Sequence, residues 1–104
     1  MGHMTDRPYR LFRKHHRKLH WDLWSRIEQR GPKLCWRWMG EHDANGRPEY
    51  TFRHEGRSHR ILVHRYIFYA VYDELPRVVE RECSNDWCCN VNHLAASSAP
   101  VLQT

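Results

Sequence analysis

Cys83, Cys88 and His93 fall at five-residue steps in Cys83-Ser-Asn-Asp-Trp-Cys88-Cys-Asn-Val-Asn-His93, and Cys35 stands far upstream as a fourth donor. Thiolates and neutral imidazole nitrogens are the ligands with which zinc closes a tetrahedral structural site. Closing such a site adds folding free energy to a small domain, because the unfolded chain does not hold its donors together. Cys89 breaks the spacing and reads as a small thiol, buried or half-exposed. The four cysteines could instead form two disulfides in one of three pairings. A reducing compartment, the adjacent Cys88-Cys89 and the well-spaced His93 favour the metal.

The elements around this turn follow from periodicity. Phe12, Leu19, Leu23 and Ile27, with Trp24 beside them, predict a helix over 10–30 with one buried stripe, stopped by Gly31-Pro32. Its other face and first turn hold Arg10, Arg13, Lys14, Arg17 and Lys18 among His15, His16 and His20, a basic arm that is either a solvated face or a phosphate contact. Leu34 to Met39, Pro48 to His54 and Arg57 to Leu62 predict three strands of one small antiparallel sheet, with turns at Asn45-Gly46 and Glu55-Gly56. Val63, Tyr66, Ile67, Ala70 and Val71 predict a buried helix over 62–73, ended before Pro76. Arg77 to Arg81 reads as a short strand entering the metal turn, and Asn92-His93-Leu94 as the start of a short helix. The boundaries expected are 1–4 for an expression scar and start, 5–21 for the basic arm, 22–95 for the metal-bound domain and 96–104 for a flexible tail.

At 104 residues the chain is long enough for one domain with a small core, which a structural metal would reinforce. Lys and Arg number 17 against 12 Asp and Glu, a formal charge of +5 that attracts polyanions, nucleic acid first. No apolar run approaches the ~20 residues of a membrane span, and the charged beginning lacks a signal-peptide core. Together these predict a cytoplasmic protein without a membrane partner.

Asp22-Leu-Trp-Ser-Arg-Ile27, Cys35-Trp-Arg-Trp-Met-Gly40, Ile61-Leu-Val-His-Arg65, and Val79-Glu-Arg-Glu-Cys83 through Cys88 to His93-Leu94 resemble the zinc-bearing HNH endonucleases common in phages and mobile introns. The resemblance covers residues 22–95 and implies an α+β, ββα-metal (His-Me finger) domain with structural zinc on Cys35, Cys83, Cys88 and His93. In that family the catalytic base is a histidine two residues before the first cysteine of the turn, where this chain has Arg81. Arginine stays protonated, so it can clamp a phosphate but cannot take a proton from water. The family also places a metal-holding Asn about nine residues beyond the histidine that matches His93. Here the stretch is Pro100-Val-Leu-Gln-Thr104; Pro100 would interrupt the helix, Leu102 cannot ligate Mg²⁺, and Gln103 is a substitute at best. Glu80 and Glu82 alternate away from Arg81, and His64 matches a structural histidine of the family.

The resemblance therefore implies a retained scaffold with no catalytic residue and no Mg²⁺, binding duplex DNA through its sheet. Arg47, Glu49, Thr51 and Arg53 form the expected face, continued by Arg57 and His59, with Arg81 and the basic arm adding phosphate contacts. Trp24, Trp36 and Trp38 are expected in the core, Phe52 with them, and Trp87 on the surface. Two alternatives remain, a module that grips a host or phage protein of the transcription or defence machinery, and a residual Mg²⁺-dependent nicking endonuclease.

Overall fold

The computed structural model describes residues 6–96. The sequence features at Met1 to Met4 and from Ser97 onward, Pro100, Leu102 and Gln103 among them, lie outside the described residues. Residues 6–96 fold as a small α+β unit of three α-helices and paired antiparallel strands.

The single helix expected over 10–30 is instead two, α1 (Arg7–His15) and α2 (Arg17–Ser25), broken at His16 with φ −125° and ψ 57°. Pro8 sits in the first turn of α1, where a missing N–H breaks no helical hydrogen bond. A straight helix would hold Phe12 and Leu23 about 16 Å apart along one axis. The bend lets both join one buried cluster, with Phe12 against Tyr50, Phe52 and Tyr66 at ring separations of 5.4, 4.9 and 5.0 Å. Tyr9 is buried beside them and its hydroxyl accepts the Leu62 N–H, so α1 is part of the packed domain and not a free arm. After α2 the chain turns extended, and β1 (Ile27–Glu28) pairs with β2 (Arg37–Trp38).

The expected three-stranded sheet is replaced by three separate two-stranded ones. Beyond β1, β2 touches the metal turn through a bridge between Arg37 and Cys88, and so does not join the hairpin β3 (Glu49–His54) and β4 (Arg57–Leu62). Glu55 and Gly56 both have positive φ, 51° and 80°, which suits a two-residue hairpin turn. Register corrects the expected basic face. Thr51 faces Arg60 and Arg53 faces Ser58, whereas Arg57 faces His54 and His59 faces Phe52. Cross-strand partners share a face, so Arg57 and His59 lie on the side of Phe52, opposite Thr51 and Arg53.

Helix α3 (Val63–Tyr72) is buried continuously from Val63 to Tyr69 and ends at Asp73, whose φ of 59° closes it with an N–H to the Tyr69 carbonyl. Strand β5 (Val79–Arg81) then pairs with β6 (Leu94–Ala96). The short helix expected from Asn92 is only one 3-10 turn, Val91–His93. Leu94 takes its place opposite Arg81, so the following backbone groups bond across the ladder instead of along a helix. Phe68, Val79 and Leu94 form a second small cluster under this pair.

Candidate metal centre

Cys83 and Cys88 sit in the loop after β5, His93 closes the 3-10 turn before β6, and Cys35 comes from the segment entering β2. One ligand atom from each of Cys35, Cys83, Cys88 and His93 lies within 4.8 Å of all the others, so the four can hold a metal ion. His93 Nδ1 is 3.7 Å from Cys35 Sγ and 3.4 Å from Cys88 Sγ. Tetrahedral zinc with ordinary bond lengths would separate a sulfur and a nitrogen by about 3.6 Å. The other ring nitrogen, Nε2, lies 3.2 Å from the Lys33 carbonyl. A carbonyl only accepts, so Nε2 carries the proton and Nδ1 presents its lone pair to the sulfurs.

Electrostatics favours a cation here. Burial raises the Cys35 thiol, but hydrogen bonding, from the Asn85 amide first and then from the Cys88 and Cys83 thiols, outweighs it and brings the pKa down to about 7. The Asn85 amide donates to Cys35 Sγ at 3.0 Å. Burial pushes Cys88 up to about 12, with Cys35 and Cys83 adding to the rise. One thiolate is thus supported and a second beside it opposed, an opposition that a divalent cation reverses. Cys89 is fully buried in the core, pushed up to about 12 by burial, and is not one of the four.

Residues outside the ligand set hold the site together, and no periodicity marks them. Asn90 is 0% exposed; its amide donates to the Pro32 and Leu34 carbonyls at 2.9 and 2.6 Å, and its oxygen accepts the Asn92 N–H at 2.8 Å. It therefore ties the Cys35 segment to the turn that carries Cys88 and His93. Cys89 N–H donates to the Trp36 carbonyl and Glu82 N–H to the His93 carbonyl, at 2.8 and 2.7 Å. The Asn-Val-Asn run before His93 was the one available hint, since Asn at a helix start bonds the backbone ahead of it.

Arg81 turns inward, donating from Nε to the Cys88 carbonyl at 2.8 Å. Beside the metal turn is a cleft of about 560 Å³ lined by Arg47, Arg65, Arg77, Arg81 and His64, with exposed Glu80 and Asp86 also on its wall. Arg81 Nη2 and His64 Nδ1 are buried without a partner. His64 Nε2 donates to the Val79 carbonyl at 3.0 Å, and burial, then Arg81, lowers its pKa to about 4. Arg65 is bound to the Pro76 carbonyl and to Asp6, each at 2.7 Å.

The remaining basic residues do not form one face. Arg13 lies over the Tyr69 ring at 4.5 Å and pairs with Asp73, and Arg10 lies 6.0 Å over the same ring. Lys14, Arg17 and Lys18 are exposed. Arg47 bonds Asp43 at 2.9 Å, Arg53 bonds the Gly56 carbonyl at 2.9 Å, and Arg57 is exposed beside the hairpin turn. Trp38 is buried, while Trp24 and Trp36 pack half-buried on the core. Trp87, expected on the surface, is half-buried with the Arg37 guanidinium 4.4 Å from its ring. Trp21 is 64% exposed. Among the described residues no helix is long and apolar enough to cross a membrane. No protein-family model, curated protein or solved structure matches the chain.

Proposed function

We propose that this chain is a zinc-stabilised HNH-like domain that binds duplex DNA through its phosphates and does not cleave it. The observation that carries the reading is the cleft beside the metal turn, walled by Arg47, Arg65, Arg77 and Arg81. A guanidinium is always charged and offers N–H donors in a fixed fork, the geometry that suits phosphate oxygens. Three thiols with one imidazole suit zinc, and such a site is stable where thiols stay reduced, as in cytoplasm.

Hydrolysis by the route the resemblance implies needs an imidazole base beside the metal turn, and neither Arg81 nor His64 supplies one. Arg81 cannot accept a proton, and His64, lowered to about 4, is a weak acceptor at neutral pH. The basic residues scattered over α1, α2 and the hairpin would add affinity that depends on charge and not on sequence. DNA bound in this way should weaken linearly with salt on logarithmic axes.

Fluorescence anisotropy of a labelled duplex across a KCl series tests this. Arg81→Gln should lower affinity and reduce the salt slope by about 1. Absence of binding at the lowest salt would remove the proposal, and plasmid nicking with Mg²⁺ by the parent, lost in an Arg81→Ala control, would restore the nuclease reading.

A further inference from the structure

We propose that a second transition-metal site lies where the break between α1 and α2 meets the end of the β3–β4 hairpin, with His16 and His54 as its placed ligands and His15 as its third. The site is separate from the thiol cluster and independent of DNA binding. His16 Nε2 and His54 Nδ1 stand 2.9 Å apart. Two ring nitrogens at that separation hold either one shared proton or one cation between them. On an ion with bonds of ~2.0–2.1 Å, two nitrogens at a right angle are about 2.9 Å apart, and at a tetrahedral angle about 3.3 Å. The observed pair needs little movement to accept the ion.

The His16 and His54 rings fit the same geometry, while the His15 nitrogens do not stand with theirs and must turn in to complete the site. His16 and His54 have centroids 5.1 Å apart, and His15 and His54 5.2 Å. Two imidazoles on one tetrahedral ion have centroids about 5.3 Å apart. His15 is exposed in the last turn of α1, so its ring can rotate toward the ion, with water completing the coordination. His16 is held by Phe12 and Phe52, at 6.1 and 5.1 Å, which fixes one ligand before metal arrives.

Behind His54 stands a carboxylate. Glu55 Oε2 is 3.8 Å from His54 Nε2, the nitrogen facing away from His16. At 3.8 Å the pair is not hydrogen-bonded, but a small turn of the exposed Glu55 side chain brings its carboxylate onto the far nitrogen, which would fix the proton there and make the near nitrogen a better ligand. His59, stacked on Phe52 at 5.3 Å and 6.5 Å from His54, walls the seam, and Arg57 opposite His54 is the nearest fixed cation in the strand register. An all-imidazole set selects zinc, copper or nickel over magnesium or calcium.

The test starts from a His3→Gln background, so that His3 offers no competing imidazole. Protein carrying one equivalent of zinc is dialysed to equilibrium against Zn²⁺ and, separately, Cu²⁺. A second equivalent should be held, lost in His16→Gln and in His54→Gln, and weakened about tenfold in Glu55→Gln. Long-range ¹H–¹⁵N spectra of the unsubstituted histidines should show the second zinc shifting His16 Nε2 and His54 Nδ1, which decides the matter even if a variant unfolds. Binding of a single equivalent only, a second equivalent unaffected by His54→Gln, or ring nitrogens that do not shift would overturn the proposal.

Discussion

Truncating Asn90 to alanine removes three hydrogen bonds from one fully buried side chain. A typical intramolecular hydrogen bond contributes ~0.5–1.5 kcal/mol net, and a buried group left unpaired costs ~1–3 kcal/mol. Pro32 and Leu34 are exposed residues, so water can reach part of what Asn90→Ala frees. The expected loss is about 2–4 kcal/mol, a large share of the ~5–15 kcal/mol by which small domains are stable. Asn90→Asp sharpens the test: it keeps an acceptor for the Asn92 N–H but sets a carboxylate against two carbonyl oxygens. It should destabilise at least as much as alanine. Urea unfolding at a fixed free-zinc concentration measures both, since bound metal itself shifts stability. Asn90→Ala within about 0.5 kcal/mol of the parent, or Asn90→Asp milder than Asn90→Ala, would refute the role assigned to this clamp.

Three further outcomes follow from the packing. His64 has a folded pKa of about 4, below its ordinary 6.5, so the unfolded chain takes up a proton that the folded one refuses. The stability it supplies is full above pH 6.5 and is lost as pH falls toward 4; between pH 7.5 and 5.5 the parent should lose about 1.4 kcal/mol more than His64→Gln, read by urea unfolding. Equal losses would contradict a buried neutral ring. A methyl group at Gly40 would meet Trp38 ring atoms at 2.5 and 2.7 Å, so Gly40→Ala should lower stability by ~1–3 kcal/mol and shift the tryptophan emission; an unchanged midpoint would deny the close contact. Tyr50 donates to Asp22 at 2.7 Å and is the main cause of that carboxyl's lowered pKa, so Tyr50→Phe should raise it, as followed by carboxyl ¹³C shifts.

The residues that come together as ligands were legible because metal chemistry restricts donor type and spacing more tightly than packing does. Hairpin strands Glu49–His54 and Arg57–Leu62 were legible for a similar reason: their turn needs residues that tolerate positive φ, and Gly56 supplies one. The break at His16 was not, since Phe12, Leu19 and Leu23 keep a helical stripe whether or not the axis bends. Strand partners were also hidden. Trp38 could alternate as a strand residue against β3 or β1, and only the approach of Cys88 to Arg37 on one side settles the choice. Side chains that bond the backbone, as Asn90 does, leave no period at all. The placement of Arg57 and His59 required the register, because a shift of one residue exchanges the two faces of a strand.

The most direct test is to count the metal and then remove it. Native mass spectrometry of protein purified without added metal should show one zinc per chain, and a strong chelator should release it together with the folded circular-dichroism and tryptophan signals, with zinc restoring both. Cys88→Ser should neither retain the metal nor fold. A chain that keeps its fold and its unfolding midpoint after the metal is gone, or that never carries any, would contradict the claim that Cys35, Cys83, Cys88 and His93 close a structural zinc site.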